Sequence, residues 1–160
     1  LLRSEGKNLR LVLAGRYASY GQSLINKYSS STNDWLTFLG SVPRDQLFQH
    51  FHSSALACFP SWWEPHGLVV LEAMASCGLV LASSLGGWSE TIDDGLDGFL
   101  IEPHQPQKLA DKMKYIMKLK TEEKLSIRRM ARDKICKKFD KQVIVPEMER
   151  FYLDIIKHAN

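Results

Sequence analysis

Residues 59–78 read Phe59-Pro60-Ser61-Trp62-Trp63-Glu64-Pro65-His66-Gly67-Leu68-Val69-Val70-Leu71-Glu72-Ala73-Met74-Ala75-Ser76-Cys77-Gly78. The apolar run Ala55–Phe59 leads into a loop marked by two prolines. The loop leads into an apolar stretch of helical length, Gly67 to Cys77, with Gly78 as its left-handed stop. A strand that runs through a loop into a helix in this way brings the carboxyl end of the strand and the amino end of the helix to one place. In open α/β sheets that place is where ligands bind.

Similar apolar runs recur outward from this stretch, at Leu9–Ala14 closed by Gly15, Trp35–Leu39 and Leu79–Ala82. Continuous runs of this length, alternating with helix-length segments, are expected of parallel strands buried on both faces. The intervening and following helices are expected at Arg44–His52, with Pro43 in the first turn, and at a short turn from Gly86-Gly87 through Glu90. Further helices are expected at Gln107–Lys118, at Glu122–Lys138 with Thr121 as N-cap, and at Pro146–Lys157. Asp93-Asp94-Gly95 and Asp97-Gly98 punctuate a loop before a short strand at Phe99–Ile101. The apolar stripes Leu109, Met113, Ile116, Met117 and Phe151, Ile155, Ile156 keep helical spacing and read as core contacts. The pattern predicts an α/β fold: a Rossmann-like parallel sheet with flanking helices.

A chain of 160 residues, 44% hydrophobic and 24% charged, fits one folded domain spanning 1–160. The net charge of +3 is small, and the basic residues concentrated between Lys112 and Lys141 are interleaved with acidic ones. They read as a solvated helix face and not as a nucleic-acid surface. Cys58, Cys77 and Cys136 lie in apolar segments and read as reduced, mostly buried thiols. No apolar run approaches the ~20 residues that span a bilayer. The expected location is the cytoplasm, with any membrane contact peripheral at the inner face. The opening Leu1-Leu2-Arg3-Ser4-Glu5-Gly6-Lys7 lacks an initiator Met and reads like the last turn of a helix, as in a fragment of a longer protein.

Glu72 stands among Val69, Val70, Leu71, Ala73, Met74 and Ala75, a helix with no polar face. A carboxylate there needs a partner, since burying it alone costs several kcal/mol. A ribose diol would supply two O–H donors; an ion pair or a loop's amides would serve equally. Gly67 would let a phosphate approach the free amides of Gly67 and Leu68 at the positive end of the helix, or would simply permit the turn. Glu64, ahead of that helix, is placed to reach a group bound there or to be exposed. Gly86-Gly87 and Gly15 also follow strands, and suit either an anion-facing wall or a tight turn. No metal site is expected: Asp93, Asp94 and Asp97 read as turn-formers, and His50 and His52, two apart on a helix, do not face each other.

Glu64 and Glu72, eight positions apart around Pro65-His66-Gly67-Leu68, resemble the E-x7-E signature of the large retaining glycosyltransferase family that includes sucrose-phosphate synthases and bacterial mannosyltransferases. Three segments match in the family's order. Phe38-Leu39-Gly40-Ser41-Val42-Pro43 resembles F-L-G-x-V, Ala82 to Glu90 resembles A-S-x-x-G-G-x-x-E, and Asp94 to Pro103 resembles D-G-x-x-G-x-L-x-x-P. The resemblance implies one half of a GT-B fold: the C-terminal domain that binds a nucleoside-diphosphate sugar, UDP-glucose first and GDP-mannose or ADP-glucose behind it. It implies transfer of the sugar, with retention, to the hydroxyl of an acceptor such as a glycan or lipid-linked sugar, in carbohydrate or polysaccharide biosynthesis. Glu72 would hydrogen-bond the ribose and Glu64 would act as the catalytic residue near the anomeric carbon. The amides around His66, Gly67, Leu68 and Val69 would meet the sugar and diphosphate, and Val42 the base, with Arg44 close by. His66 stands where the family often has an aromatic residue.

The family's Gly-Arg…Lys-Gly segment is expected to be missing, because Gly15-Arg16 stands 25 residues before Gly40 and fits the second strand of the family domain. The acceptor-binding N-terminal domain is expected to be missing with it. No cofactor is expected. The alternatives are a non-catalytic sugar-nucleotide-binding module, a protein–protein module that has kept the fold, or a GT-B-like epimerase or phosphorylase. No lysine stands in a context matching the pyridoxal-phosphate lysine of a phosphorylase. Two carboxylates also invite a hydrolase reading, which the assignment of Glu72 to ribose discounts.

Overall fold

Parallel pairing of short strands organises each of the two units into which the chain divides, Leu1–His50 and Phe51–Asn160. The computed structural model describes residues 2–3, 6, 8–16, 19–28 and 34–158. The helix end expected at the start of the chain rests partly on Leu1, Ser4, Glu5 and Lys7, which lie outside the described residues.

In the first unit, β1 (Leu11–Ala14) pairs with β2 (Leu36–Gly40), Leu11 opposite Leu36 and, after a register shift, Ala14 opposite Gly40. Helix α1 (Ser19–Tyr28) connects them, and α2 (Arg44–Ser53) follows with Leu47 N–H bonded to the Pro43 carbonyl. The last residues of α2, from Phe51, belong to the second unit. Burial of β1 on both faces does not hold: Leu11 and Val12 are 43% and 45% exposed. A two-stranded sheet has too little covered face to bury a strand that its β-branched and leucine side chains nonetheless favour.

In the second unit, β3 (Ala57–Phe59), β4 (Val80–Ser83) and β5 (Phe99–Ile101) form a parallel sheet in the order β3-β4-β5. The central strand β4 is buried throughout, which is why its sequence shows no polar alternation. Around the sheet lie α3 (Leu68–Ala75), α4 (Trp88–Thr91), α5 (Pro106–Lys118) and α6 (Thr121–Phe139), and α7 (Lys141–His158) follows against α6. Leu79, Leu81, Phe99, Ile116 and Ile127 make one core cluster, with Leu109 and Met113 packed on it, as the stripe on α5 predicts. The Asp93–Gly98 loop is a turn in the expected sense. Asp97 accepts a hydrogen bond from Asp93 N–H, Asp94 accepts one from Leu100 N–H, and Gly95 N–H bonds the Gly98 carbonyl.

Several local expectations are corrected. The left-handed residue ending α3 is Cys77 (φ 55), not Gly78. Gly78 is required for space instead: its N–H bonds the Ala73 carbonyl at 2.8 Å, and a Cβ there would lie 2.8 Å from that oxygen. Thr121 is the first residue of α6, not its cap. The cap is Lys120, whose N–H donates to Glu123 Oε2 at 2.8 Å. Helix α7 starts five residues before Pro146. Pro146 therefore stands inside the helix, where it removes one backbone donor. The α7 stripe is not core: Phe151, Ile155 and Ile156 are exposed, and no residue of the helix is buried. Of the cysteines, Cys136 is exposed and Cys77 half-buried, while burial pushes the Cys58 thiol up to about 11.

The basic stretch is also more than a solvated face. Arg128 donates to the carbonyls of His52, Ser54 and Cys77, Arg132 to that of Ala75, and Lys134 to that of Thr91. Burial pushes the Arg128 guanidinium below its ordinary value. Helix carbonyls left unpaired at a carboxyl end are negative, so cations from α6 fit them. Among the described residues, no helix is long and apolar enough to cross a membrane.

Candidate functional site

The loop 60–67 leaves the carboxyl end of β3 and enters α3, and the turn 84–87 leaves the adjacent carboxyl end of β4 and enters α4. The two connections are bonded to each other. Glu64 and Gly86 form an isolated parallel bridge, and Gly87 N–H donates to the Glu64 carbonyl at 3.0 Å. Neither glycine tolerates a side chain: a Cβ on Gly86 would lie 2.1 Å from the Glu64 carbonyl oxygen, and one on Gly87 2.4 Å from that of Pro65. The Gly-Gly pair therefore serves close approach of two backbones, and its open Cα side is filled by protein.

Gly67 adopts a left-handed conformation (φ 31) as the N-cap of α3. A Cβ there would meet Trp88 Nε1 at 2.3 Å and Glu64 Cγ at 2.6 Å, so only glycine fits. Its amide is not free as expected, because Glu64 Oε1 accepts from it at 3.1 Å. A carboxylate three residues ahead of an uncapped helix is drawn to the orphan amides and positive end of the dipole. The amides of Leu68 and Val69 have no hydrogen-bond partner among the described residues. Trp88, 1% exposed, closes the arrangement from α4 by donating its indole N–H to the Gly67 carbonyl at 3.1 Å. Its ring lies 6.2 Å from that of Phe59. Nothing in the spacing singles out Trp88; a lone large aromatic in a four-residue helical turn is the available signal.

Glu72 is half-buried, and the expectation that α3 leaves no polar face is corrected. Val70, Leu71, Ala73 and Met74 are buried, whereas Leu68 is 64% exposed and Val69, Glu72 and Ser76 are partly so. The buried residues make one face and Glu72 lies on the other, so its carboxylate is not stranded in the core. His66 is exposed, and its Cα lies against the position a Gly87 Cβ would take. Thus Glu64, His66, Gly67, Leu68, Val69, Glu72, Gly86 and Gly87 are brought together in the second unit. Gly15, Val42 and Arg44 belong to the first. Gly15 (φ 135) ends β1 with its N–H on the Gly40 carbonyl at 2.7 Å. Val42 is half-buried in the β2–α2 connection, and Arg44, exposed at the start of α2, lies 5.3 Å above the Phe48 ring.

A parallel sheet with paired loops at its carboxyl edge and open amides at a helix start defines a protein of the Rossmann-like α/β class. Residues 1–134 match the family model described as glycosyl transferases group 1, and the chain belongs to that family. A D-inositol 3-phosphate glycosyltransferase of Nocardia farcinica is 34% identical over 116 residues, covering 69% of this chain and 26% of that protein. Among solved structures, the Anabaena protein HepE in complex with UDP-glucose superposes with a TM-score of 0.77 at 25% identity, over 91% of this chain and 41% of HepE. Sucrose-phosphate synthase from Thermosynechococcus elongatus gives a TM-score of 0.81 at 24% identity, over 93% of this chain and 39% of the synthase. The fold is that of a C-terminal GT-B domain, and the chain spans about a quarter of the length of its curated relative.

Proposed function

We propose that the chain holds a nucleoside-diphosphate sugar, UDP-glucose before other donors, at the amino end of α3 for retaining transfer to an acceptor hydroxyl. The observation that carries this reading is the pair of open amides, Leu68 and Val69, at a helix start where the Glu64 carboxylate sits on the Gly67 amide. Such amides favour diphosphate oxygens through both hydrogen bonding and the dipole. Glu72, one turn beyond Leu68, is assigned to the ribose, and Glu64 to the sugar near the anomeric carbon. Val42 and Arg44 are proposed contacts of the base and Gly15, at the end of β1, a proposed contact of the donor, while Gly86 and Gly87 keep the loops after β3 and β4 close-set. The protein's part in the reaction is to position the donor and stabilise charge on the departing diphosphate, with no metal. The proposed setting is the cytoplasm. HepE, which has been solved with UDP-glucose, supports this choice of donor.

A second reading rests on the Glu64–Gly67 bond: a carboxylate engaged as a helix cap suits a binding module that performs no transfer. Calorimetric titration with UDP and UDP-glucose separates the two. Glu72→Ala is expected to weaken both ligands by about 1.5–3 kcal/mol, the range for hydrogen bonds to a charged group. Glu64→Gln, which keeps an oxygen for the Gly67 amide, is expected to leave UDP binding unchanged and weaken UDP-glucose alone. Binding of both ligands by Glu64→Gln as by wild type would return Glu64 to a capping role, and equal losses from both variants for both ligands would sink the division of roles. Binding is expected to be the same with and without EDTA; restoration of lost binding by Mg²⁺ or Mn²⁺ would overturn the metal-free assignment.

A further inference from the structure

Among the described residues, two other than glycine have positive φ, Cys77 and His104. The first ends a helix. His104 (φ 60) lies in the loop after β5 with its side chain exposed, where the left-handed conformation costs an L residue roughly 1–2 kcal/mol. Its ring meets that of Trp62: the centroids are 4.1 Å apart and the planes 82° from each other. Trp62 sits in the loop after β3, two residues before Glu64, and is 70% exposed. Because β3, β4 and β5 are parallel, both loops leave the same edge of the sheet as the Glu64 loop itself. Two aromatic rings are thus joined across two loops, at the cost of backbone strain, while most of the larger ring stays in water.

We propose that Trp62 and His104 form a platform for one pyranose ring of the acceptor glycan, a reading that rests on the sugar transfer proposed above. A pyranose has a face of C–H groups that stacks on an aromatic ring and a rim of hydroxyls that needs polar partners. The polar partners stand on the His104 loop and in the first turn of α5. Glu102 accepts from Gln105 Nε2 at 2.6 Å and from Lys108 Nζ at 2.8 Å. Hydrogen bonding and charge from Lys108, with Gln105 adding to them, hold the Glu102 carboxyl below its usual range. A carboxylate and an ammonium within four residues of His104 suit hydroxyls; an apolar protein surface would desolvate both charges.

The test follows the indole N–H resonance of Trp62 by NMR as the chain is titrated with maltotriose, α-mannotriose, chitotriose and, separately, UMP. A saturable shift with at least one trisaccharide is expected. Read by saturation transfer to the sugar protons, which needs no indole, Trp62→Ala abolishes trisaccharide binding and His104→Gly weakens it at least about tenfold, while both variants bind UDP as the wild type does. Glycine relieves the left-handed backbone, so His104→Gly melts no lower than wild type and its lost sugar binding is not unfolding. No saturable shift with any trisaccharide up to about 50 mM overturns the proposal, as does a Trp62 shift with UMP alone. If UDP fails to bind while the trisaccharide shift persists, the donor reading falls and the platform stands.

Discussion

Lys134→Met is expected to lower the unfolding free energy by about 3–5 kcal/mol, the cost of leaving a buried charge without its partner. Asp97 is 3% exposed, and the Lys134 ammonium is paired with it and with Asp93. The same ammonium donates to the Thr91 carbonyl at 2.8 Å, so one cation fixes the turn that delivers the chain into β5. Burial alone would lower the Lys134 pKa, but the hydrogen bonds and charges of Asp93 and Asp97 outweigh it and raise the pKa above its ordinary 10.5. A group whose folded pKa is raised contributes fully below its unfolded value and loses that contribution as pH rises through the folded one. The pair therefore stabilises at neutral pH and fails only above about pH 10.5. Asp93, held below its usual 3.8 by Lys134, contributes above that value and loses its part as pH falls through the folded one. Urea melts of both proteins between pH 7 and pH 11 check this: the gap between them should be widest at pH 7 and narrow at pH 11. A gap that is constant across that range would mean Lys134 acts by packing alone.

Trp88→Ala is expected to cost about 3–5 kcal/mol as well, the usual loss on removing a buried aromatic ring. The ring is 1% exposed, so its removal leaves a cavity inside the second unit. The truncation also removes the indole N–H from the Gly67 carbonyl and opens the space that excludes a Cβ at Gly67. UDP affinity should fall together with stability, because Glu64 and the start of α3 lose the wall that fixes them. Trp88→Phe keeps most of the volume and loses one hydrogen bond, about 1 kcal/mol. Equilibrium denaturation gives the stabilities and calorimetry the affinity. An alanine variant as stable as wild type would show that α4 does not hold the loop. Against a total stability of about 5–15 kcal/mol, either of these substitutions removes a large share.

The sheet was the most legible part of the chain. The largely apolar runs at 36–39, 57–59 and 80–82 become strands within a residue or two of their expected bounds. The same signal at Leu11–Ala14 found the strand but misjudged its burial, because an apolar run reports backbone preference and not what covers it. The α7 stripe failed for the same reason: helical spacing says which residues share a face, and Phe151 and Ile155 share one that is exposed. In the site, the sequence placed Glu64, Gly67 and Glu72 around one helix start. It missed that Glu64 already caps Gly67 and that Glu72 lies on an open face, since both depend on where α3 turns its apolar side. Trp88, Lys134 and Arg128 were invisible because their partners lie 21 to 76 residues away along the chain.

Arg128 has a further consequence, for the order in which this unit comes apart. Its guanidinium joins the end of α2 at His52, the chain at Ser54 and the end of α3 at Cys77 to the middle of α6. None of these segments can open by itself without stripping a carbonyl from a half-buried cation. Segments sharing one indispensable bond tend to unfold together, as a cooperative unit larger than any of them. Amide protons at the ends of α2 and α3 and along the middle of α6 should then exchange with solvent through a single opening event of common free energy. In Arg128→Lys, with one ammonium in place of a planar fork, the three should exchange separately.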